Sequence, residues 1–235
     1  MKKMLACVAV MAVLTVCAQA QVTDPVEKEL GFKSLFNGKD LDGWIDGNNQ
    51  YEVLDDGTIR CKPRGGGNLY TKDRFANYIF RFDFKLTPNA NNGVGIRTEL
   101  VGEPSFTVGK EIQILDDSGS DYTNLAPYQY HGSIYGVVPA KRGSLRPVGE
   151  WNTMEILCDG TRIKVTVNAQ VIVDAKVDEI TEFMDKHDHP GLLKNDGHLA
   201  FLGHASEVWF RNLRILPLTH FGQGEKVLEQ EKEAG

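Results

Sequence analysis

A chain of 235 residues, 41% of them hydrophobic and 25% charged, carries enough apolar material for one sizeable core. Its net charge is −6, and Lys and Arg are scattered among acids without forming a basic stripe. Nucleic acid and anionic membrane surfaces are therefore poor partners, whereas a neutral ligand such as a sugar fits.

The chain opens Met1-Lys2-Lys3-Met4-Leu5, runs apolar to Cys17 and reaches Ala18-Gln19-Ala20. Two lysines, a short apolar run and an Ala-x-Ala site predict a signal peptide over 1–20 and an exported protein, periplasmic or at the cell surface. The run is too short for a membrane span. Leu14-Thr15-Val16-Cys17 is a loose lipobox, so a lipid anchor at Cys17 is the alternative to cleavage after Ala20. Cleavage would remove Lys2 and Lys3, taking the net charge to −8. The mature chain keeps Cys61 and Cys158, which form either a single bridge or two buried free thiols.

Residues 21–30 read as a polar leader. The domain expected over 31–218 opens with Gly31-Phe32 and a turn at Asn37-Gly38, then reaches Trp44, a core plug or a stacking platform for a sugar ring. Tyr51–Leu54 and Thr58–Lys62 flank a hairpin turn at Asp55-Asp56-Gly57. Gly65-Gly66-Gly67 leads into a strand and lacks the lysine and helix of a phosphate-binding loop. Along Tyr78–Leu86, Phe80, Phe82 and Phe84 face one side. In Gly93-Val94-Gly95-Ile96-Arg97, Val94 and Ile96 point to the core. Gly93 and Gly95 open the other face, into which Arg97 is expected to reach.

The stretch Gly109–Asp117 organises the rest. Ile112 and Ile114 alternate with Glu111, Gln113 and Leu115, the period-two pattern of a half-buried strand. Its polar face sets a carboxylate and an amide roughly 6–7 Å apart, the floor of a polar cleft. The acidic loop Asp116–Asp121 lacks EF-hand spacing; a loosely held calcium is the alternative it leaves open.

Further strands are expected at Ser133–Val137, Trp151–Cys158, Arg162–Asn168, Gln170–Val173, Gly197–His204 and Val208–Leu216. Asp178–Lys186 is the one helical candidate. It ends at His187-Asp188-His189-Pro190, where the two histidines are either solvated or a metal pair. Residues 219–235 read as a polar tail, frayed or loosely helical. About a dozen short alternating strands and one short helix predict an all-β fold, a two-sheet antiparallel jelly-roll sandwich. Glu111, Gln113, Arg97 and His204 are expected to line one outer face.

The strand Glu111-Ile112-Gln113-Ile114-Leu115-Asp116 resembles the acidic strand of retaining β-glucanases. Gln113 stands in place of the middle acid, however, and Asp116 has the wrong parity. One base with polar orienting groups suits it better than two catalytic carboxylates.

Five stretches in order resemble the 3-keto-disaccharide hydrolase domain family. They are Gly31-Phe32 through Leu35-Phe36-Asn37-Gly38-Lys39-Asp40-Leu41 to Gly43-Trp44; Asn91-Asn92-Gly93-Val94-Gly95-Ile96-Arg97; Glu111–Asp116; Gly149-Glu150-Trp151-Asn152; and Val208-Trp209-Phe210-Arg211-Asn212. The resemblance covers about residues 31–217. It implies a concanavalin A-like jelly roll acting on glycosides oxidised to a ketone at carbon 3. That ketone acidifies the carbon 2 hydrogen; its removal gives an enolate that expels the aglycone from carbon 1, with or without later hydration. Glu111 and His204 are expected to share the roles of base and acid, with Arg97 and Gln113 on the enolate or hydroxyls. Asp116, Tyr135, Arg211 and Trp44 complete the expected binding set. Leu202 and Gly203 stand where the family's late strand carries Gln and Asp before its His, which leaves a strand-capping role open for His204.

No cofactor fingerprint is present. A non-catalytic carbohydrate-binding domain stacking sugars on Trp44, Tyr130 and Tyr135, and a glucanase-like hydrolase, are the competing readings.

Overall fold

The computed structural model describes residue 22, residues 24–64 and residues 66–234. The signal peptide, Cys17 and the cleavage site lie outside the described residues. The described chain forms strands at Lys33–Ser34 (β1), Trp44–Asp46 (β2), Tyr51–Val53 (β3), Ile59–Cys61 (β4), Gly66–Phe75 (β5), Tyr78–Leu86 (β6) and Asn91–Thr98 (β7). Lys110–Leu115 (β8), Trp151–Asp159 (β9), Arg162–Val167 (β10), Gln170–Lys176 (β11), Gly197–His204 (β12) and Val208–Pro217 (β13) follow. Helices are Pro25–Leu30 (α1) and Gln223–Ala234 (α2).

The strands make two antiparallel sheets, the jelly-roll sandwich that the alternation predicts. The larger runs β11-β10-β9-β6-β13-β4-β3, with β1 also on β13; the smaller runs β2-β5-β12-β7-β8. Alternate residues of both meet in one core. Phe80, Phe82 and Phe84 come from the larger sheet, and Val94, Ile96, Ile112, Ile114, Leu199 and Phe201 from the smaller. Phe201 stacks on Phe210 across the sandwich with ring centroids 3.9 Å apart. Cys61 and Cys158 are both buried and unbridged.

Three local expectations are corrected. Over 178–186 there is no helix, only a 3-10 turn at Val177–Glu179. The amides of Met184 and Asp185 donate to Gly136 O instead, at 2.8 and 3.3 Å, so tertiary partners take the hydrogen bonds a helix would have needed. Residues 133–137 turn tightly rather than forming a strand: Val137 N and Val138 N both donate to Ile134 O, at 2.9 Å.

The tail is ordered. Val227 and Leu228 of α2 pack with Phe32, Ile79, Leu157, Leu216 and Leu218 on the outer face of the larger sheet, where the side chains left over by core parity point. Asp159 accepts from Gly222 N and Gly224 N, at 2.8 and 3.0 Å, at the start of α2. A carboxylate there satisfies free amides and complements the helix dipole. Asp159→Ala is expected to cost about 1–2 kcal/mol. Urea denaturation would show this, along with earlier amide exchange in α2 than in the sheets.

Among the described residues, no helix is long and apolar enough to cross a membrane.

Candidate active site

The outer face of the smaller sheet holds a cavity of about 310 Å³ whose lining includes Glu111, Gln113, Tyr135 and His204. β8 supplies the floor. Ile112 and Ile114 are fully buried in the core, so the intervening Glu111, Gln113 and Leu115 turn outward into the cavity. Loops complete the walls: Glu103, Ser105 and Phe106 from the β7–β8 connection, and Tyr122, Leu125 and Gln129 from the segment after β8.

Glu111 is only 3% exposed, and its Oε1 has no hydrogen-bond partner. Burial pushes its carboxyl up to about 7; the Ser105 hydroxyl eases it back and the Glu103 charge adds to the rise. The site's glycines act differently from expectation. Glu111 pairs across the ladder with Gly95 and leans over Gly93, where an added Cβ would lie 1.8 Å from Oε1. The gap left by Gly93 is thus filled by the carboxylate itself.

Gln113 accepts from Ile114 N through Oε1 at 3.1 Å, which leaves its NH2 free for a ligand. Asn91 Oδ1 is a second buried acceptor without a partner. Tyr135 receives Gln129 Nε2 at 3.4 Å on its hydroxyl and meets Tyr128 edge-on. His204 sits exposed at the mouth; desolvation by the walls lowers its pKa against the opposing pull of Glu103. At Gly203 a Cβ would lie 2.8 Å from Gly67 O, so this backbone has no room for an Asp there. Among the described residues, no Lys or Arg lines the cavity.

Four expected site residues lie elsewhere. Arg97 is 2% exposed, and its guanidinium donates to Ala76 O at 2.8 Å, Gly160 O at 2.7 Å and Asn77 Oδ1 at 3.1 Å. The cause is a bulge. Thr98 pairs with His198 but Gly95 with Ala200, and Arg97 takes φ +49°, which breaks the alternation that would have aimed it at the cavity. Asp116 is consumed by its own loop, accepting from Asn89 N at 2.9 Å and from Ser118 N and Oγ at 3.0 and 2.6 Å. Arg211 pairs with Asp83 at 3.1 Å and stacks on Trp151, on the larger sheet. Trp44 is a core plug, with Nε1 donating to Leu35 O at 2.8 Å and its ring stacked on Phe201.

A larger groove of about 630 Å³ runs past Asp116, Arg142 and Arg146. It is the roomier of the two, but the unpartnered Glu111 and Asn91 acceptors converge on the smaller cavity, which is where chemistry has its groups. Among the described residues, no cluster of three or more His, Cys, Asp or Glu side chains is arranged to hold a metal ion. His189 is paired with Asp185 while His187 is exposed.

Sequence reasoning missed Glu103, Ser105 and Phe106. The signal was there: two adjacent antiparallel strands joined by the long connection 99–109, where a few residues suffice for a hairpin.

Residues 31–216 match the family described as 3-keto-alpha-glucoside-1,2-lyase-like domain. The chain belongs to this family. A 3-keto-disaccharide hydrolase of Bacteroides thetaiotaomicron is 24% identical, with 81% of this chain and 79% of that protein covered. A crystal structure of a candidate glycosyl hydrolase from Parabacteroides distasonis is 28% identical with a TM-score of 0.71, covering 80% of this chain and 99% of the other. A second from the same organism is 25% identical with a TM-score of 0.72, covering 84% and 99%. Membership of the 3-keto-alpha-glucoside-1,2-lyase-like family places the chain among carbohydrate-active, hydrolase-type enzymes.

Proposed function

We propose that the protein cleaves the glycosidic bond of 3-keto-glycosides by taking the proton from carbon 2 and eliminating the aglycone. The observation that carries this reading is Glu111: a buried carboxylate whose Oε1 has no partner, with a pKa of about 7, on the floor of a cavity that no Lys or Arg among the described residues lines. Such a carboxylate is a stronger base than an exposed one and is about half ionised at neutral pH. The carbon 2 proton passes to the Glu111 carboxylate, and the electron pair moves into an enolate on the carbon 3 oxygen. The Gln113 NH2 and the Ser105 and Tyr135 hydroxyls are the donors available to that oxygen. The carbon 1–oxygen bond then breaks, and the departing oxygen leaves at the mouth, where His204 and Glu103 are the groups able to supply its proton. The chemistry asks for no cofactor, because the substrate arrives already oxidised.

Two other readings fare differently. For a binding module, Trp44 is buried and the Tyr130 ring is covered by the Arg142 guanidinium at 3.9 Å, which leaves Tyr135 alone of the three platforms in the cavity. Conventional hydrolysis draws support from Glu103, a second carboxylate in the same cavity.

Incubation with a 3-keto-glucoside, an unoxidised glucoside and a laminarin-like glucan, followed by product analysis, tests all three. Release of aglycone from the keto-sugar alone is expected. A 2-hydroxyglycal-type product marks elimination without hydration, and 3-keto-glucose marks elimination followed by hydration. Reducing ends from the glucan, or an inert keto-sugar, would overturn the reading.

A further inference from the structure

Behind the cavity wall lies a buried pair that the reaction above does not use. His189 Nε2 stands 3.0 Å from both carboxylate oxygens of Asp185, and the two side chains are 2% and 8% exposed. Both belong to the segment between β11 and β12, which beyond the 3-10 turn at Val177–Glu179 is irregular.

The pair touches two walls at once. On one side is Gly136, directly after the wall residue Tyr135. It takes φ +76°, and an added Cβ would lie 2.3 Å from Asp185 Oδ2 and 2.6 Å from His189 Cε1. Gly136 O in turn receives Met184 N and Asp185 N, so backbone and side chains grip the same residue. On the other side is Phe106, whose ring meets the His189 imidazole edge-on at 5.9 Å and whose carbonyl accepts Gly191 N at 3.0 Å. Phe183 closes the back, 4.8 Å from the imidazole. Phe106 and Tyr135 come from loops on either side of β8, and among these contacts only the Asp185–His189 pair reaches both.

We propose that Asp185 and His189 are positioning residues that set the separation of the Phe106 and Tyr135 walls, and through it the fit of the sugar ring over Glu111. Neither lines the cavity; His189 acts through the Phe106 ring, and Asp185 through the Gly136 backbone that follows Tyr135. A buried charge-assisted hydrogen bond suits this task because it is short and directional, and costly to leave half made. The proposal rests on this cavity being the sugar site. The Phe106 wall holds substrate and transition state alike, so its displacement raises KM, while displacement of the Tyr135 hydroxyl from the enolate oxygen lowers kcat.

The experiment compares Asp185→Asn, His189→Gln and His189→Leu by aromatic NMR of Phe106 and Tyr135 and by steady-state kinetics on a 3-keto-glucoside. In Asp185→Asn and His189→Leu, displaced ring signals from both walls are expected, with KM raised and kcat lowered, each by about tenfold. His189→Gln, whose amide still reaches Asp185, is expected to stay close to wild type. A purely structural pair would lower the melting temperature and leave KM and the ring signals of the folded protein where they were; that result overturns the proposal. So does an equal loss in Gln and Leu, and the conservative Gln variant keeps the test open if Leu does not fold. Should the wild type turn over no 3-keto-glucoside, the proposed function fails, while the ring signals still decide the role of the pair.

Discussion

Glu111→Gln is expected to remove turnover of a 3-keto-glucoside, by about 10²–10⁴-fold, and to make the protein more stable. The two effects share one cause. Burial raises the Glu111 carboxyl from 4.5 to about 7, so between those values the folded protein holds a proton that the unfolded chain has lost. Stability from this group is therefore whole below about pH 4.5, declines as pH rises, and is lost above about pH 7. The shift corresponds to roughly 3 kcal/mol above pH 7. Gln carries no such cost. The variant should gain most at pH 8 and nothing at pH 4, as read by denaturation at both values. In the wild type kcat/KM should rise through about pH 7 as Glu111 ionises. A variant that keeps full turnover would take Glu111 out of the reaction; one whose stability relative to wild type is the same at pH 8 and pH 4 would refute the upward shift of the Glu111 carboxyl.

Gly93→Ala should be nearly as damaging without replacing a single ionisable group. The new Cβ would lie 1.8 Å from Glu111 Oε1, 2.6 Å from its carboxyl carbon and 2.8 Å from Cγ, so the carboxylate must leave its place or the ladder must part. Overpacking at a buried site costs about 1–3 kcal/mol, and here it also moves the base. Activity is expected to fall at least about 100-fold, as removal of a general base does. Gly95→Ala is the control. Its nearest neighbours would be Ala200 Cβ at 3.2 Å and Leu202 Cδ2 at 3.3 Å, contacts that yield by a few tenths of an ångström. It should cost less than about 1 kcal/mol and keep most of the activity. If the two variants behave alike, close approach to Glu111 is not what keeps residue 93 small.

Period-two alternation carried the fold. Phe80, Phe82 and Phe84, or Ile112 and Ile114, can only belong to a buried face, and the same parity turns Glu111 and Gln113 outward. Parity fails where the strand itself is irregular. At Arg97 the bulge reverses the side chain, and nothing in Gly-Ile-Arg-Thr announces it. Asp116 and Trp44 show a second limit: the same residue types serve loop bonding, core filling and ligand contact, and only the neighbours decide. The segment 178–186 shows a third, since helical pattern lost to the amide acceptor offered by Gly136. Glu103 shows a fourth, because loop walls carry no periodicity at all.

The buried ionic knot on the larger sheet also bears on how the protein can be held. Arg81 joins Glu27 of α1 to Glu231 of α2, and Arg214 also pairs with Glu27. Both described ends are thereby fastened to the back of the sandwich, with the cavity opening at the front. Material attached ahead of Asp24 or beyond Ala234, whether a tag, a bead or a fused partner, will trail behind the enzyme and leave the entrance facing bulk solution.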